Sequence, residues 1–377
     1  MEPLKIGIVL NFKAAEKKKD EILNVNSTKK PWLKLAKNKE FTPFTIMREK
    51  KRCVPVDVAL GVYIQDKYPT IKIDYIKPEE ISSKRFAQND IVFLMQYDLL
   101  EAFHLTDHSK FKIFQKTLET SKNVYPPYEY QKFINNKCIY YAFLKKKGIP
   151  VAPTQCIFDS TGFNKNPEKY MEDLLTKIIW NSFIIKPVYG QESYGFEKFL
   201  DRKQNPKVLK TKLRNYLKKY VPKYKNIIVQ KYIPGFDKKN MEARLYYING
   251  KYLFAMITSG LTHTTAMREA RPIQEGGTFR IPDSNWKYVK ELGNRVMNIL
   301  PKFDLPPGMQ NSIITRIDVG SGLPDAPFTY FVNEVEFVPA FFIEEHNEPV
   351  IQNIGDALVK LAEVYHNRKT AVKVDFA

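Results

Sequence analysis

Short apolar runs separated by polar or amphipathic stretches mark the first third of the chain. The runs at 4–11, 70–76 and 90–96 are strand-sized and almost continuously apolar, and residues 55–68 have helical character. Strands that are apolar on both faces are typical of a parallel sheet covered by helices. We therefore predict a parallel, doubly covered sheet here. The polar, lysine-rich segment 13–52 has no regular pattern and is assigned no element.

The rest of the chain alternates between the two periodicities. Apolar positions at three- and four-residue steps predict helices, and continuous apolar runs predict strands. The dipeptide Asn249-Gly250 predicts a tight hairpin within 241–257, and Asp283 or Ser284 can cap the helix that follows. In chain order, the predicted helices are 130–147, 167–179, 207–220, one beginning at 283, and 355–368, and the predicted strands are 182–188, 227–233, 312–320 and 328–337.

Length and composition narrow the class of protein. The chain has 377 residues, more than one typical domain, and 44% of them are hydrophobic, enough for several cores. No apolar run reaches the roughly 18 residues that a membrane span needs, and the first apolar run is followed at once by charge, unlike a secretory signal. These features predict a cytoplasmic protein without a membrane partner.

Cysteines and charge add two expectations. Cys53, Cys138 and Cys156 lack the spacing of metal ligands or of a disulfide framework, so we predict buried or incidental thiols. The 60 basic and 41 acidic residues give a formal charge of +19, which favours acidic or phosphorylated ligands. The lysines are scattered along amphipathic segments, however, as on an ordinary solvated surface. A nucleic-acid partner is therefore not expected.

A strand, a lysine and a glycine-containing loop follow each other in FIIKPVYGQESYGF, residues 183–196. Lys186 at the strand end can neutralise a phosphate, and Gly190 and Gly195 allow backbone N–H groups to approach phosphate oxygens. The GxxxxGK[ST] pattern of a Walker A loop is absent. Glycine-rich turns after strands are also common structural devices, and this alternative stays open.

Acidic residues alternate along two late strands. Residues two apart on a strand face the same side, so Glu334 and Glu336 project together, as do Arg316 and Asp318 on the neighbouring predicted strand. Carboxylates that converge on one face would repel each other, whereas such oxygen ligands suit Mg²⁺. For one strand alone, an ordinary polar face with Arg316 paired to a glutamate would explain the pattern. Two such strands in succession favour a metal site.

The segment between these motifs carries a third pattern. Gln230 and Lys231 precede Tyr232 and Ile233, as expected for a linker that contacts the edge and face of a purine. Downstream, Glu242 and Arg244 share one strand face. Read in isolation, this segment is a plain strand followed by a hairpin.

The order of these motifs resembles the ATP-grasp superfamily, in particular its carboxylate-amine ligases such as D-alanine:D-alanine ligase, glutathione synthetase and the ligases that add glutamate to ribosomal proteins. The resemblance covers 131–343. It implies an α/β and α+β architecture, the ATP-grasp fold, with two α+β lobes that enclose the nucleotide. The implied domains are a Rossmann-like N-terminal substrate domain at 1–130, a central lobe with a glycine-rich lid at 131–229, and a C-terminal lobe with Mg²⁺-binding strands at 230–377.

The resemblance also implies roles for particular residues. Arg316, Arg244 and Lys186 match catalytic positions, and Asp318, Glu334 and Glu336 match the ligands of Mg²⁺, with two ions expected. Either Asp237 or Glu242 would reach the ribose, and the choice stays open. The residues that match nucleotide contacts are Lys137, Lys186, Gly190, Gln191, Glu192, Ser193, Gly195, Gln230, Lys231, Tyr232, Ile233, Asp237, Glu242 and Arg244.

Three positions depart from the family pattern. Glu192 stands in the lid where small or hydroxyl residues are usual, and Glu336 stands where the third metal position is commonly asparagine. Ala340 replaces the usual glycine after the following proline. These departures put the phosphate grip, the charge of the metal site and the acceptor side in question, and they admit a divergent specificity.

The implied activity is an ATP-dependent carboxylate-amine ligase, which forms an amide through an acyl phosphate on amino acids or small peptides. Arg268, Arg271, Gly276 and Gly277 are candidates for substrate contact, although a solvated basic loop explains them equally well. The alternatives are a ligase that modifies an acidic protein tail, a nucleic-acid-binding protein with a structural core of this fold, and a small-molecule kinase. The oligomeric state stays open, with a homodimer as one candidate.

Overall fold

The computed structural model describes most of the chain. The described residues are 3–10, 22–95, 108–157, 160, 162–189, 195–224, 226–233, 242–259, 269–272, 283–303, 305, 308–322, 330–337 and 350–374. The strands are, in chain order, β1 (Lys5–Val9), β2 (Ile22–Asn24), β3 (Ile46–Arg48), β4 (Lys51–Pro55), β5 (Lys72–Ile76), β6 (Ile91–Leu94), β7 (Val124–Tyr125), β8 (Thr154–Ile157), β9 (Phe183–Pro187), β10 (Glu197–Phe199), β11 (Ile227–Lys231), β12 (Glu242–Ile248), β13 (Lys251–Ser259), β14 (Glu269–Pro272), β15 (Ile314–Ser321) and β16 (Tyr330–Phe337).

Helices cover these strands. The α-helices are α1 (Val56–Lys67), α2 (Ser83–Ala87), α3 (His108–Thr120), α4 (Tyr128–Asn135), α5 (Lys137–Lys146), α6 (Gly162–Lys165), α7 (Pro167–Lys177), α8 (Pro206–Tyr220), α9 (Asp283–Ile299) and α10 (Val350–Val374). Short 3₁₀ helices span Pro31–Lys37, Lys39–Phe44 and Pro78–Glu80. The last helix extends beyond the predicted 355–368 at both ends, from Val350 to Val374.

The N-terminal sheet is parallel and has the order β5-β1-β6-β7. On one face, Ile6 and Ile8 belong to the largest apolar cluster, together with Leu60 of α1. On the other face, Val9 packs in a separate cluster with Phe114 of α3. Both faces are thus covered, which confirms the predicted class of sheet.

The unassigned segment before α1 forms a small unit of its own, within the described residues 22–55. Strands β2, β4 and β3 make a short antiparallel sheet. Trp32, Leu33 and Phe41, from the adjoining 3₁₀ helices, are buried in the largest cluster. The elements are too short to leave a periodic pattern among so many lysines, which explains why the sequence predicted none.

One predicted helix, 130–147, is wrong, because the chain breaks at Asn136 into α4 and α5. The Asn136 side chain accepts hydrogen bonds from the backbone N–H groups of Cys138 and Ile139, at 3.1 and 3.2 Å. Asparagine is a strong N-cap because its oxygen satisfies N–H groups that the first helical turn leaves open. The break places Lys137 at the first position of α5.

The prediction of buried or incidental thiols is confirmed for Cys53 and wrong for Cys138 and Cys156. Cys138 and Cys156 form a disulfide that joins the first turn of α5 to β8, and Cys53 is buried. Their separation of 18 residues does not suggest a pair. The pairing arises only because the fold brings α5 onto the central sheet, with the two Cα atoms 5.9 Å apart.

Two antiparallel sheets form the remainder. The central sheet has the order β10-β9-β11-β8, and the C-terminal sheet has the order β14-β13-β12-β15-β16. The predicted hairpin between β12 and β13 is confirmed: Asn249 and Gly250 both have positive φ, 49° and 77°, as a tight hairpin turn requires. Phe183 and Ile185 of β9 pack against α7 and α8, so these helices cover one face of the central sheet. The other face of the sheet is directed toward α5.

No helix in the described parts of the chain combines the length and the apolar character needed to cross a bilayer. The division into three domains at 130 and 229 stays a prediction.

The contact between α1 and β5 leaves no room at Gly61. A Cβ atom there would lie 2.3 Å from Tyr75 Oη and 2.9 Å from Ile73 Cγ2. We expect Gly61→Ala to lower the free energy of unfolding by about 2 kcal/mol in urea titrations, whereas alanine normally stabilises a helix over glycine by about 1 kcal/mol.

Tyr75→Phe provides the matched test, because it removes the atom nearest to the added methyl group. Although it also loses the 3.1 Å hydrogen bond from Tyr75 Oη to Val58 O, we expect Gly61→Ala to cost less in this background. A Gly61→Ala protein as stable as the wild type would contradict the packing described here.

Candidate functional site

The C-terminal sheet arranges charged side chains in rows across three strands. Arg244 of β12 lies opposite Asp318 of β15, and Asp318 lies opposite Glu334 of β16. In the next row, Arg316 lies opposite Glu336. Residues directly opposite in an antiparallel pair face the same side, so these side chains share one face of the sheet. The alternation predicted from the sequence therefore produces a single cluster.

Short ion pairs hold this cluster together. Arg316 donates through Nε and Nη2 to the two carboxylate oxygens of Asp318, each at 2.7 Å. Arg316 Nη2 also lies 2.7 Å from Glu336 Oε1, and Arg244 Nε lies 3.9 Å from Asp318 Oδ2. Arg316 and Asp318 are buried, so burying either charge without its partner would carry a large desolvation cost.

A register irregularity adds Asn333 to the site. The pairing of β15 with β16 shifts between Asp318 and Val319, and Asn333 is left between the paired positions. Its Nδ2 donates to Glu242 Oε2 at 2.6 Å, while Arg244 Nε donates to Glu242 Oε1 at 3.2 Å. Glu242 is buried, and both of its oxygens face groups of the chain itself. Its predicted ribose contact stays a prediction that these contacts do not favour.

Two lysines reach the cluster from earlier segments. Lys137, at the start of α5, is buried, and its Nζ lies 2.9 Å from Glu334 Oε1. Lys186 lies on β9, on the face of the central sheet opposite to the one covered by α7 and α8. Burial lowers the pKa of Lys186 to about 8, and the neighbouring charge of Lys137 contributes, although Glu334 and Glu242 oppose the shift. The site thus joins the two sheets.

The predicted purine linker is divided between two faces. Gln230 is buried and its Nε2 donates to Thr154 Oγ1 at 2.8 Å. Lys231 alternates with Gln230, so its exposed side chain leaves on the opposite face from Lys186. The backbone N–H groups of Lys231 and Tyr232 already donate to Pro153 O and Ser182 O. Ile233, at the end of this linker, is half-buried.

The donor set suits a hard divalent cation. Asp318, Glu334 and Glu336 each offer a carboxylate oxygen, and these atoms lie within 4.8 Å of one another. Burial raises the pKa of Glu336 to about 7 and also raises that of Asp318, in both cases against the lowering effect of Arg316. Burial also raises the pKa of Glu334, but Lys137 and Lys186 outweigh it and hold that pKa below its usual value. A bound cation such as Mg²⁺ would relieve the crowding of negative charge.

Several predicted site residues lie outside the described residues: Gly190, Gln191, Glu192, Ser193, Asp237, Arg268, Gly276 and Gly277. Arg271 lies on β14, opposite Ile257. Gly195 is described, with φ of +69°, and a Cβ there would lie 2.7 Å from Pro187. The end of the predicted lid therefore requires glycine.

Two residues that line the site, Asn333 and Tyr141, are not among the candidates predicted from the sequence. Tyr141 follows Lys137 by four positions on α5, and helical spacing places such residues on one face. That spacing was a readable signal. The bulge that admits Asn333 depends on the strand register, which the pattern of residue types does not reveal.

Solved structures of other proteins resemble this chain in fold. Comparison with models of protein families gives no match, and a sequence search of curated proteins gives none. Among solved structures, it is similar to D-cycloserine synthetase DcsG, with 17% identity, a TM-score of 0.59, and coverage of 96% of this chain and 99% of the other.

Two D-alanine ligase structures show the same relationship. The D-alanine–D-alanine ligase from Bacillus anthracis, in complex with ATP, has 13% identity and a TM-score of 0.53 over 97% of this chain and 99% of that one. The D-alanyl-alanine synthetase A from Vibrio cholerae has 11% identity and a TM-score of 0.56, over 96% and 99%. Identities this low show the fold alone. The chain has the ATP-grasp fold of these ligases, which confirms the predicted fold class.

The lowered pKa of Lys186 predicts a pH dependence of ATP binding. In the free protein the ammonium is fully charged well below pH 8 and loses its proton as the pH rises through the folded-state value. ATP phosphates need the charged form, so we expect the apparent Kd for ATP to rise about tenfold between about pH 7 and about pH 9 in calorimetric titrations.

Lys186→Arg is the matched variant, because a guanidinium stays charged over this range. Its affinity for ATP is expected to be nearly independent of pH, whatever its absolute value. An equally steep pH dependence in the arginine variant, or none in the wild type, would argue against this role of Lys186.

Proposed function

We propose that this chain is an ATP-dependent carboxylate-amine ligase that releases ADP and phosphate and forms an amide or peptide bond. One observation carries the proposal. Carboxylates from two late strands, Asp318, Glu334 and Glu336, meet two lysines, Lys137 and Lys186, that come from segments more than a hundred residues earlier. A cluster of this kind can hold a metal ion on one side of a triphosphate and cations on the other.

The charges of the site are balanced before any ligand binds. Four carboxylates and four cations sum to a formal charge of zero among the described residues: Glu242, Asp318, Glu334 and Glu336 against Lys137, Lys186, Arg244 and Arg316. ATP carries about four negative charges, which two Mg²⁺ ions would offset, so the loaded site would also be balanced. This supports two ions, held by the three clustered carboxylates.

The reaction follows from the chemistry of carboxylates. An oxygen of the substrate carboxylate attacks the γ-phosphorus of ATP, and ADP leaves with the electron pair of the broken bond. The amine then attacks the carbonyl carbon of the acyl phosphate, and inorganic phosphate leaves. Bound Mg²⁺ would neutralise charge on the phosphate oxygens. Lys137, Lys186 and Arg244 would hold the triphosphate in line for the first step and would neutralise the phosphate that leaves in the second.

Arg316 is the candidate for stabilising the oxyanion of the second step. Its contacts with Asp318 and Glu336 run through Nε and Nη2. A guanidinium has five N–H donors, so Nη1 can still donate to a developing negative charge. The two carboxylates fix the plane of the guanidinium and thereby set the direction in which Nη1 points.

We further propose amino acids or short peptides as substrates. Similar structures belong to a D-cycloserine synthetase and to D-alanine–D-alanine ligases, one of them bound to ATP. The cytoplasmic location and the homodimer stay predictions.

The proposal is tested by ADP formation in a screen of carboxylate and amine pairs, with the product identified by mass. For a productive pair we expect Glu334→Gln to lower the rate of ADP formation by about a hundredfold, because a neutral amide is a poor ligand for Mg²⁺ and a charge contact of the transition state is lost.

Glu172→Gln is the matched control. Glu172 pairs on the surface with Lys210 at 3.1 Å, so the same chemical change there should leave the rate unaltered. Full activity of the Glu334→Gln variant would refute the metal assignment. A stable phosphorylated product without ligation would replace the ligase with a kinase, and activity only on an acidic protein tail would move the acceptor to that class.

A further inference from the structure

Tyr141 links three segments of the site through one side chain. It is 3% exposed, and its hydroxyl donates a short hydrogen bond to the backbone carbonyl of Asn333 on β16. The ammonium of Lys186 on β9 donates to the same hydroxyl oxygen at 3.4 Å and lies 5.7 Å from the centre of the ring. Helix α5, the central sheet and the C-terminal sheet therefore meet at this residue.

The directions of these hydrogen bonds are fixed. A phenolic hydroxyl has one proton, and a backbone carbonyl can only accept, so the proton of Tyr141 is committed to Asn333. The oxygen lone pairs can therefore accept from the ammonium, which can only donate, and from the neighbouring side chain of Gln230. Burial raises the pKa of Tyr141, and Glu334 adds to this effect, so the hydroxyl stays protonated. Without the anchor on the Asn333 carbonyl, the hydroxyl would hold the Lys186 ammonium less firmly.

The two lysines of the site differ in their partners. Lys137 pairs with Glu334 at 2.9 Å, whereas no carboxylate among the described residues lies within 4.0 Å of the Lys186 ammonium. A half-buried ammonium without an ion pair needs other acceptors and an aromatic face to hold its position. Tyr141 supplies both.

We propose that Tyr141 is a positioning residue: its hydroxyl, anchored on the carbonyl of Asn333, holds the Lys186 ammonium where it meets the triphosphate. The inference rests on the proposed function. On this inference, the Tyr141–Asn333 hydrogen bond also keeps α5 connected to β16 when the substrates bind. A metal ion and a phosphate would compete for the groups of the Lys137–Glu334 pair, whereas the Tyr141–Asn333 hydrogen bond uses no group with a proposed substrate contact.

The experiment compares Tyr141→Phe with Tyr125→Phe by calorimetric titration with ATP and, separately, with adenosine. Tyr125 is an equally buried tyrosine whose hydroxyl donates to the backbone carbonyl of Gln310 at 2.6 Å, so the chemical change is matched. We expect Tyr141→Phe to weaken ATP binding about tenfold and leave adenosine binding unchanged, because only phosphates meet Lys186. Tyr125→Phe should alter neither.

A second comparison separates positioning from general damage. In a Lys186→Met protein, adding Tyr141→Phe should weaken ATP binding no further, because the hydroxyl acts through the missing lysine. Equal weakening in both backgrounds, or a parallel loss of adenosine binding, overturns the inference, and so does a Tyr141→Phe protein that binds ATP like the wild type. A wild-type protein that binds no ATP instead overturns the proposed function, and this inference with it.

Discussion

The structure depends on the mutual neutralisation of opposite charges buried at the junction of two sheets. Each ion of the cluster would be costly in isolation, and the ion pairs of Arg316 with Asp318 and Glu336, at 2.7 Å, remove most of that cost. Replacing such pairs by apolar residues is often neutral or stabilising, so their presence is poorly explained by stability alone. In the proposed function these pairs orient Arg316, and the same carboxylates bind the metal ions that accompany a polyanionic ligand.

Local features of the backbone bring the charges together. The cap at Asn136 ends one helix and begins another, so that Lys137 emerges at the start of α5 toward Glu334. The disulfide between Cys138 and Cys156 fixes the same turn to the central sheet, in the row that Cys156 shares with Ile228 and Lys186. The start of α5, the disulfide and the register of the central sheet thus act at one junction. The same contacts position Lys137 and Lys186.

Much of this arrangement was predictable from residue order. Alternation on the late strands predicted that Asp318, Glu334 and Glu336 share a face, and the parallel N-terminal sheet followed from its continuous apolar strands. The break at Asn136 was missed because apolar periodicity continues across it, and only the capping geometry shows that the helix restarts. The disulfide and the position of Asn333 depend on tertiary proximity and on a shift in strand register. Neither leaves a signal in composition or spacing.

The proposed function requires that the carboxylates of β15 and β16 and the side chains of Lys137 and Lys186 bind one nucleotide between them. The most direct measurement is a crystal structure of the protein with a non-hydrolysable ATP analogue and Mg²⁺. The account predicts metal ions bound by Asp318, Glu334 and Glu336, and phosphate oxygens in contact with Lys137 and Lys186. A nucleotide bound elsewhere, with the Lys137–Glu334 pair intact and no metal at the three carboxylates, would contradict it.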